Sequence, residues 1–478
     1  MDIFNGVKFK NSFAKLSEEF YTKQKWSAFE ETRLISFNRN LAAELGLNPN
    51  LQPEELVKIF NGDVACENSE SLAMIYAGHQ FGNWVPQLGD GRGILFGQIE
   101  TPNGLRDLHI KGAGKTPYSR FADGRAVLRS TIREYLCGEA MHGLGIPSSR
   151  SLLMFGSNEP VFRETTETGA MMVRTAKTHI RFGHFEYFKH NNKQEYISEL
   201  LDHVIAEYFP DLTKKTDKYE IFFDRTIKST AELIANWQAV GFAHGVMNTD
   251  NMSLLGETFD FGPFGFLEEY NPEFICNHSD DNGRYAFNNQ PAIGLWNCQA
   301  LAAALDEIID EEKLIESLKN YQHYFYDYLI DLYRVKLGLK EKEKGDIELI
   351  ESLLTWLQNS KKDYTNFFRN LHQVHEDENN IFDDEEGRLW LNKFNERFKL
   401  EKISKKESQE LMLARNPKYI LRNYLAHQAI EKAEKGDYSE IDLLINLLAK
   451  PFDEHSELET YSAESPEWGK SLEVSCSS

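Results

Sequence analysis

Cysteine is scarce in this 478-residue chain: Cys66, Cys137, Cys276, Cys298 and Cys476 are odd in number, widely scattered and without a C-x-x-C spacing. That pattern gives no footing for a zinc ribbon or a thioredoxin-like centre, and most of the five read as reduced thiols. No run of about eighteen apolar residues occurs, so no membrane span is expected. The opening MDIFNGVKFKNSFAKL also lacks the apolar stretch and cleavage site of a secretory signal, which predicts a cytoplasmic protein. Positive charge is in deficit, with 53 basic against 75 acidic side chains and a net charge of −22. Such a surface opposes non-specific attraction to nucleic acid and to anionic lipid, so neither is expected as a partner, although a local basic pocket remains open. What is present is the composition of a folded globular protein, 41% hydrophobic and 27% charged, long enough for two or three structural units.

Residues 1–70 carry amphipathic stretches, FAKLSEEFY and LAAELGL, broken at Gly46, Pro49 and Pro53, and predict short helices. From Ser71 to about Ser151 glycine becomes frequent and apolar runs shorten to strand length. There ILFGQIE and RDLHIK read as two strands joined by a turn at Pro102-Asn103-Gly104. Next, Val127, Leu128, Ile132, Leu136, Met141 and Leu144 recur near helical spacing, with Asp123 as cap and Gly145 and Pro147 as stop. A second helix is predicted over Thr226 to Ala243, running into a loop rich in Asn, Asp and Gly. After about Leu295 the chain turns strongly helical, with HEDENNIFDDEEG and KEKEKGD as solvated connectors, and no internal repeat is found.

Four elements that can carry chemistry follow one another. Gly89-Asp90-Gly91-Arg92-Gly93 precedes a strand; alternating glycines let backbone N–H groups approach phosphate oxygens, and an arginine adds a charged fork, although such a loop also serves simply as a turn. Lys111 ends the next strand and Glu134 sits on the helix after it. Loop, strand, strand with lysine, helix with glutamate is the layout of a protein-kinase small lobe, in which that ion pair holds the nucleotide's phosphates. Taken alone, Lys111 reads better as a surface lysine and Glu134 as a solvated helix glutamate. The fourth element, His244-Gly-Val-Met-Asn-Thr-Asp250-Asn251 followed by Thr258-Phe-Asp260-Phe-Gly262, agrees with that layout. Kinases place a catalytic Asp five residues before a metal-binding Asn, and here that position is Val246, which cannot accept a proton. The metal-binding oxygens survive in Asn251 and Asp260, suited to Mg²⁺, and Asp250 is the substitute base or else the cap of a turn. Arg174 and Arg181, with Lys177, His179 and His184 nearby, form a basic cluster that suits a polyphosphate or else a set of surface ion pairs. Asp123-Gly124-Arg125 offers one more place where backbone N–H groups and a charge could meet a ligand.

The blocks YAGHQFGNWVPQLGDGRGILFGQI, HIKGAGKTPYSRFADGRAVLRSTIREYL, HGVMNTDNMSLLGETFDFGPFGF, ICNHSD, ARNPKYILRNYLAHQAI and the terminal SCSS resemble the selenoprotein O family of kinase-like protein adenylyltransferases, in a bacterial-type cysteine form, over nearly the whole chain. The resemblance implies an α+β, protein-kinase-like two-lobed fold. Its parts would be an N-terminal helical extension (1–70), a β-rich small lobe (71–190), a large, mainly α-helical lobe (191–470) and a flexible tail (471–478). It implies ATP bound in an inverted orientation, with the α-phosphate facing the acceptor. Gly89, Gly91, Arg92, Lys111, Asp123, Gly124, Arg174, Arg181 and Asp260 would contact the nucleotide, Asn251 and Asp260 would hold Mg²⁺ or Mn²⁺, Asp250 would accept the proton and Glu134 would pair with Lys111. AMP, or UMP from UTP, would pass to Ser, Thr or Tyr hydroxyls of protein substrates, this chain included, with release of pyrophosphate. Kinase-type phosphoryl transfer and a non-catalytic nucleotide-binding scaffold are the alternatives. Cys476, third from the end, stands where the family carries cysteine or selenocysteine, with Cys276 as a redox partner of regulatory character.

Overall fold

The computed structural model describes residues 4, 6–48, 50–376 and 381–475. Its organising feature is a nine-stranded, wholly antiparallel sheet. Along the main path the order is Tyr21–Lys23, Leu72–Met74, Gly93–Thr101, Gly104–Lys111, Thr166–Ala176, Arg150–Phe162 and Arg33–Phe37. Two further strands attach to it, Lys8–Phe9 on Gly93–Thr101 and Ala126–Val127 on Thr166–Ala176. The turn at Pro102-Asn103-Gly104 joins the two central strands as the sequence suggests, and a register shift between Leu95 and Gly97 marks an irregularity in the first of them.

Strand side chains alternate between faces, so each strand supplies two cores. Leu95, Met154 and Met172 pack on one face against Ile132, Leu136 and Ala140 of the helix Leu128–Gly143 and against the helical body beyond. Ile94, Phe96, Leu108, Ile110, Met171 and Val173 face the other way, onto Leu56 and Phe60 of the helix Pro53–Asn61. The remainder of the chain is dominated by helices, including Lys218–Val240, Gln290–Leu305 and Glu311–Lys336, and a third core gathers around Leu353, Trp356, Phe367 and Trp390. The molecule is thus a mixed α/β protein with one large sheet and many helices. Among the described residues no helix is long and apolar enough to cross a membrane.

Two local expectations need correction. FAKLSEEFY forms two single 3₁₀ turns, Phe13–Lys15 and Glu18–Phe20, and then a strand, because Tyr21 to Lys23 pair with Met74 to Leu72. Residues 1–70 are therefore not simply a helical extension: strands Lys8–Phe9, Tyr21–Lys23 and Arg33–Phe37 belong to the sheet. Asp123 is not a helix cap either. The helix starts at Leu128 after the short strand Ala126–Val127, and the Asp123 carboxylate instead accepts from the Arg125 amide and from both terminal nitrogens of Arg163.

Candidate functional site

Sheet register fixes the first part of the site. Lys111 lies opposite Met172, and two residues back His109 lies opposite Arg174, so alternation puts Lys111, His109 and Arg174 on the face that meets the Leu128–Gly143 helix. That helix presents Glu134, 2% exposed, whose Oε2 takes an ion pair from Lys111 while its Oε1 accepts from Arg174 Nη1 at 3.1 Å. Arg174 Nη2 points at His109 Nδ1, 3.2 Å away. A guanidinium only donates, so Nδ1 accepts and the imidazole proton sits on Nε2, 3.3 Å from Asp90 in the glycine-rich loop. Burial before all else keeps His109 below its ordinary pKa and neutral, and Arg174 adds to the effect against the pull of Asp90.

The second part is a loop closed at its base by a two-stranded ladder. The helix Lys218–Val240 ends at Gly241, and Phe242–Ala243 pairs with Gly265–Phe266, so residues 244–264 form one excursion carrying Asp250, Asn251 and Asp260. His244 braces it: Nδ1 accepts from the Val246 amide at 3.3 Å and Nε2 donates to the Phe259 carbonyl at 2.8 Å. Asp260 has φ +55, an unfavourable conformation for a residue with a side chain, held by its neighbours. Its Oδ1 accepts from Arg174 Nη1 at 2.5 Å and its Oδ2 from Arg181 Nη1. Burial opposes the charge on Asp260, but Arg181, Arg174 and Lys111 together overcome it and hold the carboxyl well below the usual range. Lys111 is pushed down to about 8, chiefly by burial, against the pull of Glu134.

Both parts open into one cavity of about 670 Å³, lined by Gly89, Gly91, Arg92, Lys111, Asp123, Gly124, Arg174, Arg181, Asp250, Asn251 and Asp260 among others. Eleven residues singled out in the sequence thus meet in one place, with Glu134 behind Lys111. The glycines are required by space: Gly89 has φ +80, and a Cβ there would lie 2.6 Å from the Tyr118 ring. Arg92 is exposed at the mouth, whereas Arg174 and Arg181 are buried in the floor. The basic cluster around them divides. His179 and His184 are buried and held neutral, and Lys177 lines a different cavity beside Glu257.

Asp250 is the second carboxylate of the cavity and differs in kind from Asp260. It is 7% exposed; Oδ2 accepts from Gln80 Nε2 at 3.2 Å and Oδ1 has no hydrogen-bond partner. Burial raises it to about 7, with Gln80 and Arg181 opposing, so acid and base forms are both populated near neutrality, as proton acceptance requires. Asn251 spends its amide nitrogen on the Val246 carbonyl at 3.0 Å, which leaves a carboxamide oxygen without a donor in the same cavity as the Asp260 carboxylate. These are hard oxygen donors of the type Mg²⁺ and Mn²⁺ take, and among the described residues no cluster of three or more His, Cys, Asp or Glu competes with them for a metal.

Comparison with known proteins gives the chain a family. The family model described as "Protein adenylyltransferase SelO" matches residues 4–449. A protein of Vibrio atlanticus (strain LGP32) named "Protein nucleotidyltransferase YdiU" is 48% identical over 486 residues, covering 100% of both chains. Proteins of the same name in Aliivibrio fischeri (strain MJ11) and Myxococcus xanthus (strain DK1622) are 49% and 48% identical, covering 100% and 99% of each chain. The chain belongs to the SelO family of protein adenylyltransferases. It is therefore an enzyme, a protein nucleotidyltransferase, whose donor is a nucleotide and whose acceptors are proteins.

Several residues that shape the family's cavity here were not picked out by motif. Asp90 and His109 tie the glycine-rich loop to Arg174, and Arg163 holds Asp123 by two hydrogen bonds of 2.8 and 3.0 Å. From the hairpin of strands Gly78–Gln80 and Asn83–Val85, Gln80 bonds Asp250 directly, while His79 joins Thr249 of the same loop and Glu186 of the helix Phe182–His190 in one hydrogen-bonded network. A signal existed for the first two: Asp90 lies inside the Gly-Asp-Gly motif, and His109 shares a strand face with Lys111. None marked the hairpin, since Gln80 and Asp250 are 170 residues apart.

Proposed function

We propose that the enzyme transfers AMP from ATP, and UMP from UTP, to Ser, Thr or Tyr hydroxyls of protein acceptors, itself included, with the nucleotide inverted relative to kinases and pyrophosphate released. In this reading Gly89 to Arg92 and Asp123-Gly124 border the nucleotide, and Lys111, Arg174 and Arg181 take the triphosphate tail. The observation that carries it is the cavity floor. Two buried arginines and a lysine converge there on only two carboxylates, Asp260 and Glu134, and that surplus of buried positive charge suits a strongly anionic group. The fold would be the kinase-like two-lobed one, with 71–190 as small lobe, 191–470 as large lobe and a cytoplasmic setting.

The acceptor hydroxyl gives its proton to the unpartnered Oδ1 of Asp250 as its oxygen bonds to the α-phosphorus. The bond from that phosphorus to the bridging oxygen breaks, and its electrons leave with pyrophosphate. Arg174, Arg181 and Lys111 face the departing charge, and Glu134 keeps Lys111 in place. A divalent metal on Asn251 and Asp260 would neutralise phosphate charge when bound. In this reading Asp260 shares Arg174 and Arg181 with the phosphates.

Regulation by a Cys276–Cys476 pair belongs to the same reading. Cys476 lies outside the described residues, but the Val474 carbonyl accepts from the His278 amide at 2.8 Å, which keeps the tail beside the Cys276 segment. One experiment tests transfer and pairing: intact mass and peptide mapping after incubation with ATP labelled at the α- or the γ-phosphate, with and without oxidant. Retention of the α label on protein is expected, with a tail-to-Cys276 crosslink under oxidant. Retention of the γ label alone overturns AMP transfer, and two alkylatable thiols under oxidant overturn the pairing.

A further inference from the structure

Beside the proton acceptor, at the cavity mouth, stands a surface with a chemistry of its own. The hairpin Gly78–Gln80 and Asn83–Val85 is locked to the catalytic loop. The His79 amide donates to Thr249 Oγ1 at 2.7 Å, His79 Nδ1 lies 2.8 Å from Glu186, and the Phe81 amide donates to Asn248 Oδ1 at 3.1 Å. Its two turn residues, Phe81 and Gly82, have φ +50 and +81, the left-handed pair of a tight two-residue hairpin, so the turn is rigid although Phe81 is costly there. Gln80 and Phe81 line the cavity with Asp250, so the hairpin turn forms part of its wall.

Packed on that tip is Arg284. Its Cζ lies 4.7 Å from the Trp296 ring centroid, and a Cβ on Gly82 would come within 3.1 Å of it. The residue is anchored through its amide, which donates to Asp280 Oδ1 at 3.0 Å, and Trp296 also meets His79 edge-on at 5.2 Å. In a chain of net charge −22, Arg284 makes no ion pair among the described residues, and its Nε is buried without a hydrogen-bond partner. A guanidinium held by aromatic stacking and by a hydrogen bond with the Tyr285 hydroxyl, yet paired with no carboxylate among the described residues, keeps donors for a planar carboxylate. Asp280 does not supply that anion: its oxygens accept the backbone amides of Arg284 and Tyr285 and form no ion pair with the Arg284 side chain among the described residues.

We infer that the acceptor protein docks an extended segment across this hairpin, and that Arg284 selects acceptors with an Asp or Glu within two residues of the modified hydroxyl. Gln80 touches the base and Gly82 touches Arg284, so the two recognition points are two hairpin residues apart. An extended segment spans that separation in one or two residues at about 3.3 Å each. The inference rests on reading the cavity as the nucleotidyl-transfer site.

The test uses the full-length enzyme with ATP and Mn²⁺ on three synthetic peptides that carry one Ser and differ only in their flanks, Glu, Ala or Lys. Expected is at least a tenfold higher kcat/KM for AMP transfer to the Glu peptide. Arg284→Ala should level the three peptides and Arg284→Glu should favour the Lys peptide, with ATP affinity in both variants within twofold of the parent. Parent rates independent of the flanks, or an acidic preference that survives Arg284→Glu, overturn the docking assignment while leaving AMP transfer standing. Absence of AMP from every peptide while ATP still binds overturns the assignment as well. Appearance of phosphate in place of AMP refutes the underlying reading instead.

Discussion

Two aspartates of one cavity are driven in opposite directions by their neighbours. Asp260 meets two guanidinium groups and stays ionised; Asp250 meets one neutral amide and a backbone-directed arginine, and burial lifts it to about 7. Division of labour between carboxylates follows from such differences in environment. Asp250→Asn retains the shape and the Gln80 contact but cannot take a proton. Transfer is expected to fall about 10²- to 10⁴-fold with ATP affinity nearly unchanged, read by turnover and by nucleotide titration of the same preparation. A rate within threefold of the parent would remove Asp250 from the role of base.

Among the elements, the strand Thr166–Ala176 and the loop after it show what a pattern of residues conveys and what it conceals. Arg174 and Arg181 stood out in the sequence as charges in an acidic chain, and both reach the cavity. His179 and His184, named with them, are buried and held neutral at about 3, foremost by burial. Their folded values lie below the unfolded value of about 6.5, so the unfolded chain binds more protons between the two, and stability must fall as pH drops through that window. Each contributes about 1.4 kcal/mol per pH unit there. Melting temperature is expected to decline from pH 6.5 to 5, and His179→Gln, which can still reach Asp107, should flatten the slope; an unchanged slope would refute it. The glycine-rich loop, the lysine strand, the glutamate helix and the Asp/Asn loop were legible because each is a local signal in a telling order. FAKLSEEFY was misleading for the opposite reason. Its helical spacing is overridden by pairing of Tyr21 to Lys23 with a strand some fifty residues on, a contact no local window contains.

At the level of the whole molecule, the sheet brings Lys111 and Arg174 onto one face, the helical body returns Asp250 and Asp260 to meet them, and a hairpin from the sheet side braces Asp250. The site exists only where these pieces close on one another. In the function proposed above, the buried arginine floor, rather than any motif, sets how the nucleotide lies. A crystal structure with a non-hydrolysable ATP analogue and Mn²⁺ measures this directly. The triphosphate should lie against Lys111, Arg174 and Arg181 with the α-phosphorus nearest Asp250; adenine on that floor, with the terminal phosphate nearest Asp250, would contradict it.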